Sequence, residues 1–331
     1  MENNQLNKET ATPIKERYSL DPEIGQAMAN FMAQHPSGQF PERGDWQVLR
    51  ENLNQFYSNL GKQFPVNPEV VTKDFFIKAS IGTEIKLRWY IPPTKVESGS
   101  AILYVHGGGR VSGSLELYDQ IVSRFAYLSG VPFLSVDYHL SPELNAEQQV
   151  EEVFSALNWL KEQADDLEID KSRIAVMGDS AGGGIAASVA ILARDREVQL
   201  SHQILIYPML DDRNLVSDEQ LLPFAVWTYD NNYTGWNAAL GKEYDKNNVT
   251  AVAAPSRLLQ FEDLAPAFIS VGDLDIFRSE NIEYATRLAK AGVPTEFHLH
   301  PRAPHGFEFI APDAKISKKA MADYIRVIQS I

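Results

Sequence analysis

The stretch that most constrains this chain of 331 residues is Gly178-Asp-Ser-Ala-Gly-Gly-Gly184. The apolar run 174–177 comes before it, and the run 185–192, which has high helix propensity, comes after it. This order predicts a strand, a sharp turn and a helix, with Ser180 at the apex. The first, third and fifth residues fit the G-x-S-x-G pattern of a nucleophile elbow, whose glycines leave room around a strained serine. An isolated match is equally compatible with a serine that only caps the helix, so other segments have to decide.

A second glycine-rich segment, His106-Gly-Gly-Gly109, follows the apolar run Ala101–Val105. Three successive glycines leave backbone N–H groups unobstructed, as the stabilisation of an oxyanion requires. The position of this segment after a predicted strand and upstream of the serine turn favours an oxyanion loop over an ordinary glycine turn. We interpret His106, which precedes the serine, as a residue that orients this loop.

Three of the seven histidines, His298, His300 and His305, follow the serine at a distance that leaves room for an acid between them. In chains with this serine turn, the acid and then the histidine come after the serine. His298 and His300 share one face of a predicted strand, which is typical of structural side chains, and no third ligand suggests a metal site. His305 lies in the loop beyond that strand, where it can reach a serine at the same edge of a sheet, so we predict that it is the base.

The acid is expected after the preceding apolar run, Ala267–Val271. The segment that follows this run contains two carboxylates, Asp273 and Asp275. Either carboxylate could orient an imidazole and stabilise its charged form. Spacing alone leaves the choice between them open.

Short apolar runs alternate with helical patterns over most of the chain. The predicted strands are Val71–Ala79, Glu84–Ile91, Ala101–Val105, Pro132–Val136, the run from Ile174, Gln203–Tyr207, Ala267–Val271 and Thr295–His300. The first two form an antiparallel pair, and the others alternate with helices. This alternation predicts a mostly parallel sheet with helices on both faces.

Two segments depart from that alternation. The first 60 residues predict a flexible tail, Met1–Tyr18, and two helices without strands. The segment from Asp211 to about Asn248 is unusually aromatic. We interpret it as a helical insertion with its own small core, or as a lid that forms an apolar pocket, and the two interpretations are compatible.

Composition excludes several classes of function. The net charge of −14, from 30 basic and 44 acidic residues, gives no electrostatic footprint for nucleic acid and disfavours an anionic membrane surface. The absence of cysteine excludes disulfides, thiolate catalysis and thiolate metal sites. No secretory signal and no apolar run of membrane-spanning length are visible, which predicts a soluble cytoplasmic protein without membrane insertion.

Several segments together resemble the hormone-sensitive-lipase-like carboxylesterases of the α/β-hydrolase fold, from about Asp21 to the end of the chain. The matching segments are His106–Gly109, Tyr138–Glu143, Gly178–Gly183 and His305–Phe307. In that family the acid belongs to a D-P-L-x-D-E segment, and Asp275-Ile-Phe-Arg-Ser-Glu280 aligns with it. The resemblance therefore favours Asp275 over Asp273.

The resemblance implies an α/β-hydrolase fold with an eight-stranded, mostly parallel sheet and a helical cap. It implies cap segments at 1–60 and 211–248 and a catalytic domain at 61–210 and 249–331. Ester hydrolysis would use the triad Ser180, Asp275 and His305, with no metal and no cofactor. The oxyanion hole would comprise Gly107, Gly108, Gly109 and Ala181, of which Gly107 shapes the loop. The family acts on short- to medium-chain acyl esters, consumes water and often forms homo-oligomers.

Arg110 departs from the family, which usually has an aromatic residue beside the oxyanion loop. A guanidinium there would narrow or polarise the pocket, or pair with a local carboxylate. We therefore expect substrate preference, rather than activity, to differ. The candidate substrate-binding residues are Arg110, Asp179, Phe224, Trp227 and Tyr233.

Two alternatives use the same fold. An amidase or formamidase would use the same triad, because acyl-transfer chemistry is shared. The other alternative is a non-catalytic small-molecule receptor, which is the role of the plant gibberellin receptors. Those receptors lack the catalytic histidine, so the presence of His305 argues against this alternative.

Overall fold

The computed structural model describes residues 18–35, 41–65, 67–94, 96, 99–241 and 248–331. The strands are β1 (Val71–Lys78), β2 (Glu84–Ile91), β3 (Ala101–Val105), β4 (Phe133–Asp137), β5 (Ile174–Asp179), β6 (Gln203–Ile206), β7 (Ala267–Gly272) and β8 (Thr295–His300). The α-helices are α1 (Pro22–Gln34), α2 (Trp46–Gly61), α3 (Leu115–Ser129), α4 (Ala146–Glu162), α5 (Ala181–Asp195), α6 (Tyr229–Leu240), α7 (Arg278–Lys290), α8 (Phe307–Ile310) and α9 (Lys315–Ser330).

The strands form one sheet in the order β1-β2-β4-β3-β5-β6-β7-β8. Strand β2 pairs antiparallel with β1 and β4, and all other neighbours are parallel. One apolar core lies between the sheet and α4 and α5, and a second lies between the opposite face and α3 and α9. The predicted eight-stranded, mostly parallel sheet of an α/β-hydrolase fold with helices on both faces is therefore confirmed.

The central strands are buried along their whole length because both of their faces are covered. Every residue of β3, β5 and β7 is buried. This burial explains why their sequences read as continuous apolar runs rather than as alternating patterns. The parallel strands therefore carry the loops that follow them to one edge, where the serine turn and the histidine loop meet.

The segments predicted as a cap lie against each other. Helix α2 comes from the first segment, and the second contains a 3₁₀ turn at Leu222–Phe224 and helix α6. The Gly44 amide donates to Thr234 Oγ1 at 2.8 Å, which ties the two segments together. A third apolar cluster joins these segments to Ala181.

Parts of the sequence predictions fall outside the described residues. In the two predicted cap segments these are the tail up to residue 17, residues 36–40 and residues 242–247, and in the predicted catalytic domain residues 66, 95, 97 and 98. Among the helices of the described ranges, none has the length and apolar character needed to cross a bilayer.

Candidate active site

Ser180 lies in a strained backbone conformation between β5 and α5. Its φ of 54° and ψ of −121° are unusual for a residue with a side chain. Two neighbouring segments fix this turn, because the Ser180 amide donates to Ile206 O at 2.8 Å and the Met209 amide donates to Ser180 O at 2.9 Å. The strain therefore holds the hydroxyl at the edge of the sheet.

The glycine that follows this turn is required by close packing. A Cβ atom on Gly182 would lie 2.1 Å from Val105 O and 2.4 Å from His106 O. The start of α5 therefore packs directly against the end of β3 and the oxyanion loop. Any other residue at position 182 would push Ser180 away from that loop.

The structure brings the three predicted triad side chains into one hydrogen-bonded chain. His305 Nε2 lies 3.0 Å from Ser180 Oγ, and His305 Nδ1 lies 2.6 Å from Asp275 Oδ2. Asp275 is 1% exposed, and its Oδ1 accepts the Phe277 amide at 2.9 Å. The rings of Phe277 and Tyr207 pack edge-on against the imidazole and confine it. This geometry suits proton transfer from the serine to the histidine.

The carboxyl of Asp273, the alternative acid, bonds to the backbone rather than to His305. Its Oδ1 accepts the Arg302 amide at 2.6 Å, and partial burial raises the pKa of this carboxyl. Asp273 thus closes the loop that carries His305, whereas Asp275 contacts the imidazole itself.

The oxyanion loop turns through consecutive left-handed residues. Gly108, Gly109 and Arg110 have φ values of 116°, 62° and 66°. The Gly107 amide donates to Asp179 Oδ1 at 3.2 Å, so it helps to shape the loop. Among the described residues, the amides of Gly108, Gly109 and Ala181 have no acceptor. They are the N–H groups available to a developing oxyanion.

His106 supports this loop from inside the protein. Its ring is fully buried and stacks on Tyr138 at 4.4 Å, and Tyr138 Oη donates to His106 O at 2.9 Å. Burial lowers the pKa of the imidazole, which favours its neutral form. These contacts are those of a residue that orients the loop.

Asp179 faces the protein interior. Its carboxyl oxygens accept hydrogen bonds from Tyr104 Oη at 2.7 Å and Tyr118 Oη at 3.0 Å, in addition to the Gly107 amide. Burial raises the pKa of Asp179 to about 6, against the opposing effect of these donors. Asp179 therefore links the serine turn to the oxyanion loop.

Arg110 is fully buried beside the same loop. It donates from Nη1 to Gln149 Oε1 at 3.2 Å and from Nη2 to Ala253 O at 3.1 Å, and it lies over the Trp236 ring. Burial lowers the pKa of Arg110 to about 10. In this position the side chain ties the oxyanion loop to α4 and to residue 253.

The three aromatic residues of the second segment that we predict to bind substrate lie in different environments. A Cβ atom on Gly109 would meet Trp227 Cη2 at 2.3 Å, so the Trp227 indole covers the oxyanion loop. Phe224 is half-buried, and the Tyr233 ring lies under the Arg43 guanidinium at 4.1 Å. A role for these residues, Asp179 or Arg110 in substrate binding stays a prediction.

Helix α2 holds the oxyanion loop from outside. Arg50 Nε donates to Val111 O at 2.5 Å and Nη2 donates to Ser141 O at 2.8 Å, while its remaining donors bind Glu143. Ser112 Oγ donates to Asn54 Oδ1 at 2.8 Å. Sequence reasoning missed Arg50 and Asn54, because nothing in a polar helical face shows which distant carbonyl it meets.

Two further residues that sequence reasoning missed lie behind His305. Tyr207 contacts the imidazole edge, and Glu308 bonds to Tyr207 Oη. The only sequence signal for Glu308 is its place three residues after the histidine, about one helical turn away. Over the described ranges, no group of three or more His, Cys, Asp or Glu side chains could hold a metal ion.

Comparisons with known proteins agree with this geometry. Residues 102–309 match the family described as alpha/beta hydrolase fold. The chain is 37% identical to esterase LipI of Mycobacterium tuberculosis over 267 residues, 78% of this chain and 81% of LipI. It is 32% identical to ethyl acetate hydrolase of Pseudomonas putida, over 71% of this chain and 74% of that enzyme.

Solved structures of esterases also resemble this chain. The bacterial heroin esterase superposes with a TM-score of 0.82 at 31% identity, over 94% of this chain and 98% of that one. The hyperthermophilic esterase from the archaeon Pyrobaculum calidifontis superposes with a TM-score of 0.81 at 31% identity and the same coverage. The chain therefore belongs to the alpha/beta hydrolase fold family, as one of its hormone-sensitive-lipase-like carboxylesterases.

Proposed function

We propose that this chain hydrolyses carboxylic esters of short to medium acyl chain length through an acyl-enzyme on Ser180. Ser180 Oγ attacks the ester carbonyl while His305 Nε2 takes its proton, and Asp275 stabilises the resulting imidazolium. The amides of Gly108, Gly109 and Ala181 receive the oxyanion. His305 then gives its proton to the leaving alcohol. Water, activated by the same histidine, releases the acid.

The observation that carries this proposal is the unbroken chain from Ser180 Oγ through His305 to Asp275, with contacts of 3.0 and 2.6 Å. The serine is only 4% exposed and the aspartate 1%, so water screens their interactions weakly. Two of the unpaired amides belong to the oxyanion loop and the third to the start of α5, and these two segments pack directly against each other at Gly182. A nucleophile, a base, an orienting acid and oxyanion donors are the complete set that acyl transfer needs.

We assign residues 1–60 and 211–248 to a cap, and residues 61–210 and 249–331 to the catalytic domain. Trp227 supports this assignment, because it reaches from the second cap segment onto Gly109. An indole at this place fills space beside the oxyanion hole. It would leave room for short acyl chains in preference to long ones, in keeping with a relative named for ethyl acetate.

The test compares the purified chain with S180A on a series of p-nitrophenyl esters from acetate upward. We expect the highest kcat/KM at short to medium chains, and a loss of roughly 10⁴-fold or more in S180A. Turnover retained by pure S180A would overturn the proposal. An anilide with the same acyl group provides the comparison with amides, and faster cleavage of the anilide would assign the chain to the amidases instead.

A further inference from the structure

Glu308 is a buried carboxyl group that the proposed mechanism does not use. It lies in α8, three residues after His305, and is 1% exposed. Its Oε1 accepts a hydrogen bond from Tyr207 Oη at 2.7 Å. Its Oε2 is buried and has no hydrogen-bond partner among the described residues. A half-satisfied buried carboxyl costs stability, so its place beside the base requires an explanation.

Tyr207 connects Glu308 to His305. It follows β6 directly, in a backbone conformation with φ of 35°, and its amide donates to Ser270 O at 2.6 Å. Its ring lies 4.6 Å from the His305 ring, at an interplanar angle of 61°. The histidine therefore rests on a tyrosine whose hydroxyl is anchored by the carboxyl group. Movement of Glu308 would be transmitted to the imidazole.

Several other titratable groups interact electrostatically with Glu308. They are Tyr104 on β3, Asp179 at the end of β5, Tyr207, His305, Tyr324 on α9 and Arg124 on α3. Neither oxygen of Glu308 bonds to a cation among the described residues. The pKa of Glu308 is raised to about 7, chiefly by burial and also by the charge of Asp179, while the hydrogen bond from Tyr207 and the charge of protonated His305 oppose the rise. The charge of Glu308 therefore changes in the neutral range.

We propose that Glu308 is a positioning residue of this site, which fixes His305 through Tyr207 and whose negative charge favours the imidazolium formed during acyl transfer. The inference rests on the proposed function. Since His305 favours the ionised form of Glu308, ionised Glu308 must favour the charged form of His305 by the same free energy. The barrier is thus lower when Glu308 is ionised. A unit charge buried in the same site is worth at least severalfold in rate, and fivefold corresponds to about 1 kcal/mol in the barrier.

The test is the ratio of wild-type kcat to E308Q kcat as a function of pH. Glutamine keeps the shape and the acceptor for Tyr207 Oη but carries no charge. We expect a ratio near one at about pH 5.5, which rises to roughly fivefold at about pH 9 with a midpoint near 7, at unchanged KM. Ester hydrolysis would be followed in a pH-stat, so that the readout does not depend on the ionisation of a dye.

Y207F provides a second, independent measurement. The Tyr207 hydrogen bond lowers the pKa of Glu308. The corresponding ratio here is the kcat of Y207F divided by the kcat of the double variant that carries both Y207F and E308Q. Loss of the hydrogen bond should move the midpoint of this ratio to higher pH. E283Q, on the exposed face of α7, is the matched control and should give a ratio of one at every pH. Thermal unfolding of each variant checks that the chain is folded.

A ratio for E308Q that does not change with pH would overturn the inference, because a packing role alone has no titration. The proposed function would survive that result, since it stands on the loss of turnover in S180A. Turnover retained in S180A would instead remove the proposed function, whatever the E308Q ratio shows. The two failures are therefore distinguishable.

Discussion

Asp273 and Asp275 lie two residues apart in the loop after β7, and their surroundings give them different tasks. Asp275 uses Oδ1 to accept the Phe277 amide, which leaves Oδ2 aimed at His305. Asp273 accepts the Arg302 amide and so holds the loop before His305. In the proposed mechanism Asp275 orients the imidazole and stabilises its charged form, whereas Asp273 supports the backbone that carries His305.

We expect D275N to lower kcat by roughly four orders of magnitude, because an amide cannot stabilise the imidazolium and favours the wrong tautomer. D273N should lower kcat less than tenfold, since an amide oxygen still accepts the Arg302 amide. Steady-state kinetics on one short-chain ester measures both. Equal losses in the two variants would contradict the assignment of Asp275.

At the scale of the residue, sequence motifs locate the reacting groups because the elbow and the histidine loop are local structures. The motifs could not choose between Asp273 and Asp275 by spacing, since both fit the same loop. They also could not place Arg110, whose partners Gln149 and Ala253 lie 39 and 143 residues away along the chain. The direction of a long side chain depends on such distant neighbours.

At the scale of the element, the predicted strands agree with the structure to within one or two residues. Runs such as Ala101–Val105 and Thr295–His300 have the predicted bounds. Burial on both faces makes Ala101–Val105 apolar throughout, whereas the edge strand Thr295–His300 alternates polar and apolar residues and is only partly buried. The segment 211–248, which we propose as part of a cap, could not be predicted in this detail, because its short 3₁₀ turn and α6 depend on packing against α2 and the oxyanion loop.

Removal of the Trp227 indole tests the role of the segment 211–248. We expect W227A to shift the acyl-chain preference toward longer esters, because removing the indole opens space next to Gly109. The kcat/KM for the longest ester hydrolysed should rise at least severalfold relative to acetate. The measurement is the p-nitrophenyl ester series used for the wild type.

W159A is the matched control for this change. Trp159 lies on α4, where its ring packs on Phe75 at 4.8 Å, away from Ser180 in the fold. Its removal should lower stability without altering the order of preferred esters. A W227A variant that is folded and keeps the wild-type order would show that Trp227 does not bound the acyl pocket.

At the scale of the whole molecule, two buried carboxyls beside the candidate active site, Asp179 and Glu308, have raised pKa values. Burial raises the pKa of Asp179 to about 6 and that of Glu308 to about 7. For both groups the folded state binds the proton more strongly than the unfolded state. Their combined contribution to the free energy of unfolding therefore falls as the pH rises from about 4 to about 7, and stays low above that range.

E308Q should consequently be more stable than the wild type at about pH 8, by up to about 3 kcal/mol, because the cost of ionising a buried carboxyl is removed. At about pH 4 the two proteins should differ little, since Glu308 is then protonated in the folded state and largely protonated in the unfolded state. Urea unfolding at both pH values measures the difference. An equal gain at both would indicate better packing rather than loss of a charge.

The contacts of α2 with the oxyanion loop have a consequence for protein engineering. Arg50 and Asn54 belong to a segment that we assign to the cap, yet they bond to Val111, Ser141 and Ser112 beside the glycines of the oxyanion loop. An exchange of this helix with that of a relative, made to change selectivity, would also replace contacts that hold the oxyanion loop in place. Grafted chimaeras should therefore retain both side chains, or redesign the loop together with the helix.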